Sequence, residues 1–537
     1  MVELNKELMC QRERFKKMPL TSNPAETWTI SKPKVSGSKG VVVAQEIEAA
    51  SVGAGIIEIG GNAIDGAIAT AFALSVTEPW MSGFGGGGFM ILYLAAEKKV
   101  RVIDFGMISP RLIDPTDYPL SGKVGADLFG WPAVIGDVNL HGAKSIAVPG
   151  SIAGYGLAVE NFCSKSWGEL ISPAVKLADR GHRKTWWTTL NVAAEAAVLG
   201  RYSQSKMDWL PGGLVPSVSA NNEDTYLNLA KFAKTIKLLK ENGPKYFYEG
   251  EFARNLVADV QEAGGKLSET DLKDYSAQII DPLSVQRGDL IYNLLPGMSA
   301  GPTFLDALKN IPEFPSTHPS TFSHTIIADS LMKAYKKRLE VMGHAGDIGD
   351  RSCTTNISTV DKAGNMAVIT STLLSRFGSR FVAPTSGILM NNGINWFDPR
   401  PARPNSIHGG KKPLSNMCPM IATCEGRPIF GIGASGGRKI LPAVFQIASF
   451  INDFDMDLDV ALSHPRFDVS GINEITYDPR LDQETQRSLE SMSVADPWMP
   501  ATFPSMYAVP SGVQILADGT LVGAAHGLSP LTGAVGV

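Results

Sequence analysis

The sequence predicts a layered α/β protein, and three observations carry that expectation. Strand-like segments lie early in the chain, at Val41 to Val43, Phe89 to Leu94 and Val100 to Phe105. A long middle stretch, about 145 to 340, reads mainly as helices. After about residue 354 the character changes to short strands, with one strong helix at Ile440 to Asn452. Strands near both ends with helices between and after suggest sheets that bury their apolar faces under helical layers.

The elements follow in order. Residues 1–39 read as a polar, irregular arm ending near Ser36-Gly37-Ser38, and dense structure begins at Gly40 with the buried-strand pattern Val41-Val42-Val43. From Gln45 to Ile59 small and apolar residues recur at helical spacing until Gly60-Gly61-Asn62 stops them. The next helix, Ile64 to Val76, is apolar or small almost throughout, so it is expected to be buried on all sides. A glycine run, Gly83 to Gly88, leads into the two early strands, which a charged turn joins. Helices are expected at Ser151 to Phe162, Leu170 to Arg180, Glu251 to Ala263 and Ser323 to Val341, with a loop from Gly212 to Asp224. Lys333-Ala334-Tyr335-Lys336-Lys337-Arg338 reads as the wet face of the last of these.

Composition narrows the function classes. An apolar fraction of 44% with 19% charged residues is ordinary for a globular chain, and a formal net charge of −4 gives no basic field for nucleic acid or an anionic membrane. Five cysteines (10, 163, 353, 418 and 424) form no CxxC pair, which suits a reducing compartment better than a disulfide framework or zinc site. The charged N-terminus lacks the apolar core of a secretory signal, and no window reaches the ~18 apolar residues of a membrane span. The expectation is a cytoplasmic protein that binds neither nucleic acid nor membrane.

The most informative segment runs from Asp350 to Asn365. Asn356 to Val360 is β-rich, Lys362-Ala363-Gly364 makes a turn, and Met366 to Thr370 returns. Thr354-Thr355 opens the first strand. A cut before Thr354 would create a free N-terminus carrying both a hydroxyl and an α-amine, so one residue would supply nucleophile and base together. From these residues alone, a plain β-hairpin containing two threonines is the simpler reading.

Rival motifs exist. Gly431 to Gly436 fits G-x-G-x-x-G between a strand (Pro428 to Phe430) and a helix, as a dinucleotide site would. Gly433-Ala434-Ser435-Gly436-Gly437 fits G-x-S-x-G, which makes Ser435 a candidate nucleophile. Consecutive N–H groups of that turn at a helix start could instead cradle an oxyanion. Cys353 would offer the same self-contained chemistry if the cut fell one residue earlier. The eight histidines are scattered without metal-ligand spacing.

Several segments in order resemble the γ-glutamyltranspeptidase family. They are Gly60 to Asp65, Glu78-Pro79, Ser82 to Phe89, Ala147 to Gly150, and Ala263 to Leu267 with Asp271-Leu272 and Tyr275. Thr354-Thr355 with Val360 to Asn365, Phe377-Gly378, Ser386 to Asn392, Pro413 to Pro419 and Gly433 to Gly437 continue the series, so the likeness covers about residues 40 to 530. It implies an N-terminal-nucleophile hydrolase with a four-layer αββα sandwich, made as one chain and self-cleaved. Carried over, the cut falls between Cys353 and Thr354. A large subunit (40–353, after the 1–39 arm) and a small subunit (354–537) would then share one domain, with room for a dimer of heterodimers.

The resemblance makes Thr354 the nucleophile, Thr372 the hydroxyl that supports it, and Gly436 and Gly437 the oxyanion-hole glycines, with Ser435 part of that turn. Ser415 and Asn416 match a substrate-binding Ser-Ser pair, with one departure. A free α-amine titrates near ~7.7–8.0, which suits a general base at neutral pH. No metal or organic cofactor is implied.

Other departures bear on substrate. The family holds the glutamate α-carboxylate with an Arg, where this sequence has Gly106, and the α-amine with amides and carboxylates, where it has Leu374, Gly393 and Trp396. None of these can accept a hydrogen bond through its side chain from an ammonium. The segment from Phe397 to Lys412 looks too short for the family's lid, and Arg376, Arg380 and Arg438 flank the site as candidate carboxylate binders. The expected activity is hydrolysis of a small amide, one bearing a carboxylate such as an oxamate-like amide, through an acyl-enzyme. The alternatives are a γ-glutamyltransferase or glutathione hydrolase, and an unprocessed, non-catalytic binding protein.

Overall fold

Two seven-stranded sheets lie at the centre of the computed structural model, which describes residues 32–124, 131–219, 221, 223–342, 353–471, 474–498, 508–527 and 529–537. In one sheet the strand order is Gly533–Gly536, Gly40–Ala44, Cys353–Asp361, Met366–Leu374, Gly87–Leu94, Lys99–Phe105, Gln278–Ile280. In the other it is Val35–Gly37, Leu521–Ala525, Val509–Ile515, Arg427–Ser435, Met420–Cys424, Leu290–Leu294, Leu283–Arg287. Both sheets are antiparallel, and each mixes strands from before and after residue 353.

Three apolar layers define the sandwich. Val41, Val43, Ile91, Val360 and Val368 of the first sheet meet Ile421 and Val513 of the second in the middle layer. The alternate residues of the first sheet, among them Val42, Met90 and Ile369, pack under the helices Ile47–Glu58 and Ala63–Thr77. The outer face of the second sheet, with Met420, Phe430 and Ile432, packs under Gly301–Leu308, Thr321–Val341 and Ile440–Asn452. Period-2 alternation with both faces apolar dictates this arrangement, since a strand buried on two sides needs a layer on each. The fold is the expected αββα sandwich.

Local chemistry explains the boundaries. Ala63–Thr77 starts at a capping box, in which Asn62 accepts from the Asp65 N–H and Asp65 accepts from the Asn62 N–H, and every residue of the helix is buried. Small residues allow that helix to lie against its neighbour, and Gly53 leaves room for Thr70. The turn Lys362–Gly364 closes with Gly364 N–H to Asp361 O, and Asp361 also accepts from Asn365.

Three readings change. The arm is not irregular throughout, because Val35–Gly37 pairs with Leu521–Ala525 as an edge strand; residues 1–31 lie outside the described residues. The middle of the chain is not only helical. Gln278–Ile280 edges one sheet, and Leu283–Arg287 with Leu290–Leu294 edges the other. Gln278–Ile280 and Leu283–Arg287 contain no fully buried residue, so their alternation is weakly apolar and easily missed. The supposed wet face of Thr321–Val341 holds only in part: Lys333, Lys336 and Lys337 are exposed, whereas Arg338 is 3% exposed. Among the described residues no helix is long and apolar enough to cross a membrane.

Candidate active site

Thr354 lies in the second position of the central strand Cys353–Asp361, 4% exposed, at an irregularity of the ladder between Cys353 and Thr355. Cys353 pairs with Leu374 but Thr355 pairs with Ser371, so the partner strand carries one extra residue there. Such a bulge re-aims side chains, and bulges gather beside active sites. Here it brings Thr354 Oγ1 to 3.4 Å from Thr372 Oγ1. Thr354 is the donor in that contact, and Thr372 Oγ1 also accepts the Leu374 N–H at 2.8 Å. Residues 343–352, and the Cys353 side chain, lie outside the described residues, so the expected cleavage site is seen only from its Thr354 side.

The turn Ser435-Gly436-Gly437 joins the strand Arg427–Ser435 to the helix Ile440–Asn452 through a short 3-10 turn. Gly436 has φ +133° and Gly437 φ +55°, and a Cβ on Gly436 would sit 2.8 Å from Ala508 Cα, so no other residue fits there without strain. Two bridges hold the turn above the Thr354 strand. Gln45 donates from Nε2 to Ser435 Oγ. Asn356, two residues beyond Thr354, fills the space left by Gly433, where a Cβ would meet its Oδ1 at 2.1 Å, and donates to Ser511 Oγ at 3.0 Å. Ser435 is therefore buried and engaged by Gln45, which answers the serine-hydrolase reading. The strand before it pairs antiparallel with both neighbours, which removes the βαβ context of a dinucleotide site.

Carboxyls lie on the far side of the Thr354 strand. Thr355 Oγ1 donates to Glu78 Oε2 at 3.2 Å, and Glu78 is 2% exposed. Burial, and then the nearby Glu46, push the Glu78 pKa well above the ordinary carboxylate range, against the pull of the Thr355 hydrogen bond. Glu46, which caps Ile47–Glu58 through the Ala49 N–H, is also raised, chiefly by burial. Gln45, Glu46 and Glu78 were not singled out from sequence; their signal was position, since Gln45 and Glu46 directly follow a buried strand and Glu78 ends a buried helix.

Ser415 and Asn416 lie in the segment before Met420–Cys424, fixed by Ser415 N–H to Met298 O at 2.8 Å and by Met417 N–H to Ser415 Oγ at 3.3 Å. Arg338 donates to Ser415 O at 2.6 Å and to Asn416 Oδ1 at 3.4 Å. Its buried stripe, Leu331, Ala334, Tyr335, Arg338, follows helical spacing, the one signal that could have separated Arg338 from the exposed lysines.

Of the three flanking arginines, Arg380 is occupied elsewhere: it pairs with Glu195 at 3.0 Å and donates to the carbonyls of Leu140 and Gly378. Arg376 is buried, and half-buried Arg438 follows the glycine turn, its carbonyl accepting from Tyr335 Oη.

The departing positions form an apolar wall. Leu374, Trp396, Met107, Ile394, Phe397 and Met417 are buried in one cluster. Leu374 has φ +84°, an unusual conformation for a bulky residue and of the kind that concentrates at functional sites. A Cβ on Gly393 would meet Ala147 Cβ at 2.7 Å, so no polar side chain fits there. Beside Gly106, Asp104 pairs with Lys412 at 2.7 Å. The short segment before Lys412 folds back onto the chain near Ser109, which donates to His408 O and accepts from the Lys411 N–H.

Known proteins resemble this chain in sequence and fold. A sequence profile described as Gamma-glutamyltranspeptidase matches residues 49–348 and 327–525. The chain is 27% identical over 519 residues to the glutathione hydrolase proenzyme of Bacillus subtilis (strain 168), covering 85% of each. It is 29% identical over 540 residues to the acylase ACY 1 proenzyme of Pseudomonas sp. (strain V22), covering 93% of this chain and 94% of that one. The crystal structure of cephalosporin acylase from Bacillus halodurans matches in fold, with a TM-score of 0.83 at 20% identity over 97% of this chain and 99% of that one. With the family profile spanning most of its length, the chain belongs to the gamma-glutamyltranspeptidase family.

Proposed function

We propose that this amide hydrolase cuts itself before Thr354 and then uses that residue to hydrolyse a small, carboxylate-bearing amide rather than a γ-glutamyl compound. The observation that carries the first half is the Thr354–Thr372 hydroxyl contact at a bulge, beneath a glycine turn anchored by Gln45. In this reading the freed α-amine takes the Thr354 Oγ proton as Oγ attacks the amide carbonyl. The oxyanion forms against the Gly436 and Gly437 N–H groups, each worth ~3 kcal/mol in a site without water. The leaving amine takes the proton, and water resolves the acyl-Thr ester.

The substrate half rests on the wall of Leu374, Gly393 and Trp396. A γ-glutamyl ammonium brought against it would lose its water without gaining acceptors, which is costly. A short acyl group whose carboxylate meets hydrogen-bond donors loses nothing there. Oxamate-like amides fit that description.

The second reading, a glutathione hydrolase, draws support from the relatives that carry that name. Initial rates with a γ-glutamyl anilide, set beside ammonia release from oxamate, decide between the two. Brisk anilide turnover with inert oxamate would sink the substrate proposal. Denaturing electrophoresis tests the cut: two chains, the smaller beginning Thr-Thr-Asn-Ile, are expected, and a fully active single chain near 57.4 kDa would end the proposal.

A further inference from the structure

Arg338 is a buried cation held by neutral oxygens. Nη1 donates to Ser299 O at 2.8 Å and Thr303 Oγ1 at 3.0 Å, and Nη2 to Ser415 O at 2.6 Å and Asn416 Oδ1 at 3.4 Å. None of these four acceptors is a carboxylate. Burial pulls its pKa down to about 10, which leaves it charged at neutral pH. A guanidinium taken out of water without a carboxylate is expensive, so its hydrogen-bond geometry must be well determined.

That geometry has a consequence for Asn416. A guanidinium only donates, so the group turned toward it must accept. The amide of Asn416 therefore keeps Oδ1 on Arg338 and points its NH2 the other way; the flipped amide would set donor against donor. Asn416 Nδ2 donates to no described residue and is not sealed from solvent. The serine hydroxyls that the family carries at this pair can donate or accept as a ligand requires, whereas an amide locked in this way can only donate.

We propose that Arg338 is a positioning residue that locks the Asn416 amide with its NH2 toward the acyl group. Asn416 thereby selects substrates whose acyl part carries an acceptor oxygen, a carboxylate above all. The inference deepens the proposed function and rests on its reading of Ser415-Asn416 as the acyl-binding pair.

Two matched substrate pairs test it by ammonia release: oxamate against isobutyramide, and succinamate against 4-methylpentanamide, in which a branched alkyl replaces the carboxylate at similar shape. The unsubstituted enzyme is expected to favour the carboxylate member of at least one pair. Arg338→Met and Asn416→Asp should each reduce that preference at least about tenfold, mainly through a raised KM for the carboxylate member, with the neutral partner losing less. Arg338→Lys, which still donates, should retain more of the preference than Arg338→Met. Asn416→Asp should melt higher than the parent, because its carboxylate pairs with Arg338, while selectivity falls; a merely structural role would move both together.

Unchanged preference in Arg338→Met and Asn416→Asp, with processing and Thr354 dependence intact, overturns this inference and leaves the proposed function standing. Activity that survives Thr354→Ala, or a parent enzyme inert to both carboxylate amides, overturns the reading beneath it. Should Arg338→Met not fold, Asn416→Asp alone decides.

Discussion

Behind the Thr354 strand, the helix Ala63–Thr77 runs into Glu78, a buried carboxyl that accepts from Thr355 and faces a second carboxyl, Glu46. Behind the Ser415–Asn416 loop, the helix Thr321–Val341 delivers Arg338, a buried guanidinium that meets only neutral oxygens. The two sides solve the same problem differently. A carboxyl out of water can take up a proton and become neutral; a guanidinium cannot give its proton up, so it must be surrounded by acceptors. The Thr354 side therefore responds to pH, and the Ser415–Asn416 side fixes a donor and acceptor pattern that pH leaves alone.

The largest test asks whether both sides serve one nucleophile. Thr354→Ala should lower kcat at least about a thousandfold for every amide and leave the chain in one piece on a denaturing gel. Activity that persists would dissolve the comparison, since neither side would then flank the chemistry. Next comes the turn between them. Gly436→Ala places a Cβ against Ala508 and strains a φ of +133°, so kcat should fall by about 10²–10³ as the oxyanion donors shift, with KM changing far less.

Arg380 supplies the contrasting guanidinium, one that does have a carboxylate. Arg380→Met leaves Glu195 buried without its ion pair and should cost about 3 kcal/mol of stability in a denaturant titration, yet the carboxylate preference of the folded enzyme should not move. A changed preference would bring Arg380 back into the substrate site.

The smallest effect concerns pH. Because the folded state raises the Glu78 pKa, its stabilising contribution is present in full below the ordinary Glu value of ~4.3 and is lost as pH rises toward the raised value. Glu78→Gln keeps an acceptor for Thr355 without the titration. The melting temperature of the variant should therefore gain on the parent as pH rises above the ordinary Glu value, on the order of a few degrees. Parallel pH profiles would show that Glu78 is not held neutral.

Much of this was legible in the sequence, for particular reasons. Val41-Val42-Val43 and the all-buried helix after Asn62 announce themselves because burial leaves long runs of apolar and small residues, while the Thr354 hairpin shows through its β-branched residues and the Lys362–Gly364 turn. The glycine turn at Gly436 shows because only glycine tolerates that backbone. The strands Leu283–Arg287 and Leu290–Leu294 do not, since exposed Ser284, Gln286 and Ile291 interrupt their apolar pattern and the second strand's other partner, Met420–Cys424, is distant in sequence. Arg338 was hidden by company: three lysines nearby are exposed, and only the helical phase of Leu331, Ala334 and Tyr335 marks it as inward. Glu78 lay inside a recognised segment, but its tie to Thr355 spans 277 residues and no local pattern encodes it.

The interleaving of strands from both sides of residue 353 in each sheet has a final consequence. A backbone severed at that point turns one molecule into two that hold each other's sheets together. Folding before the cut is unimolecular; recovery after melting would require two pieces to find one another, so dilution alone would oppose it. The mature enzyme would then owe its lifetime to how slowly the sandwich opens rather than to how readily it re-forms.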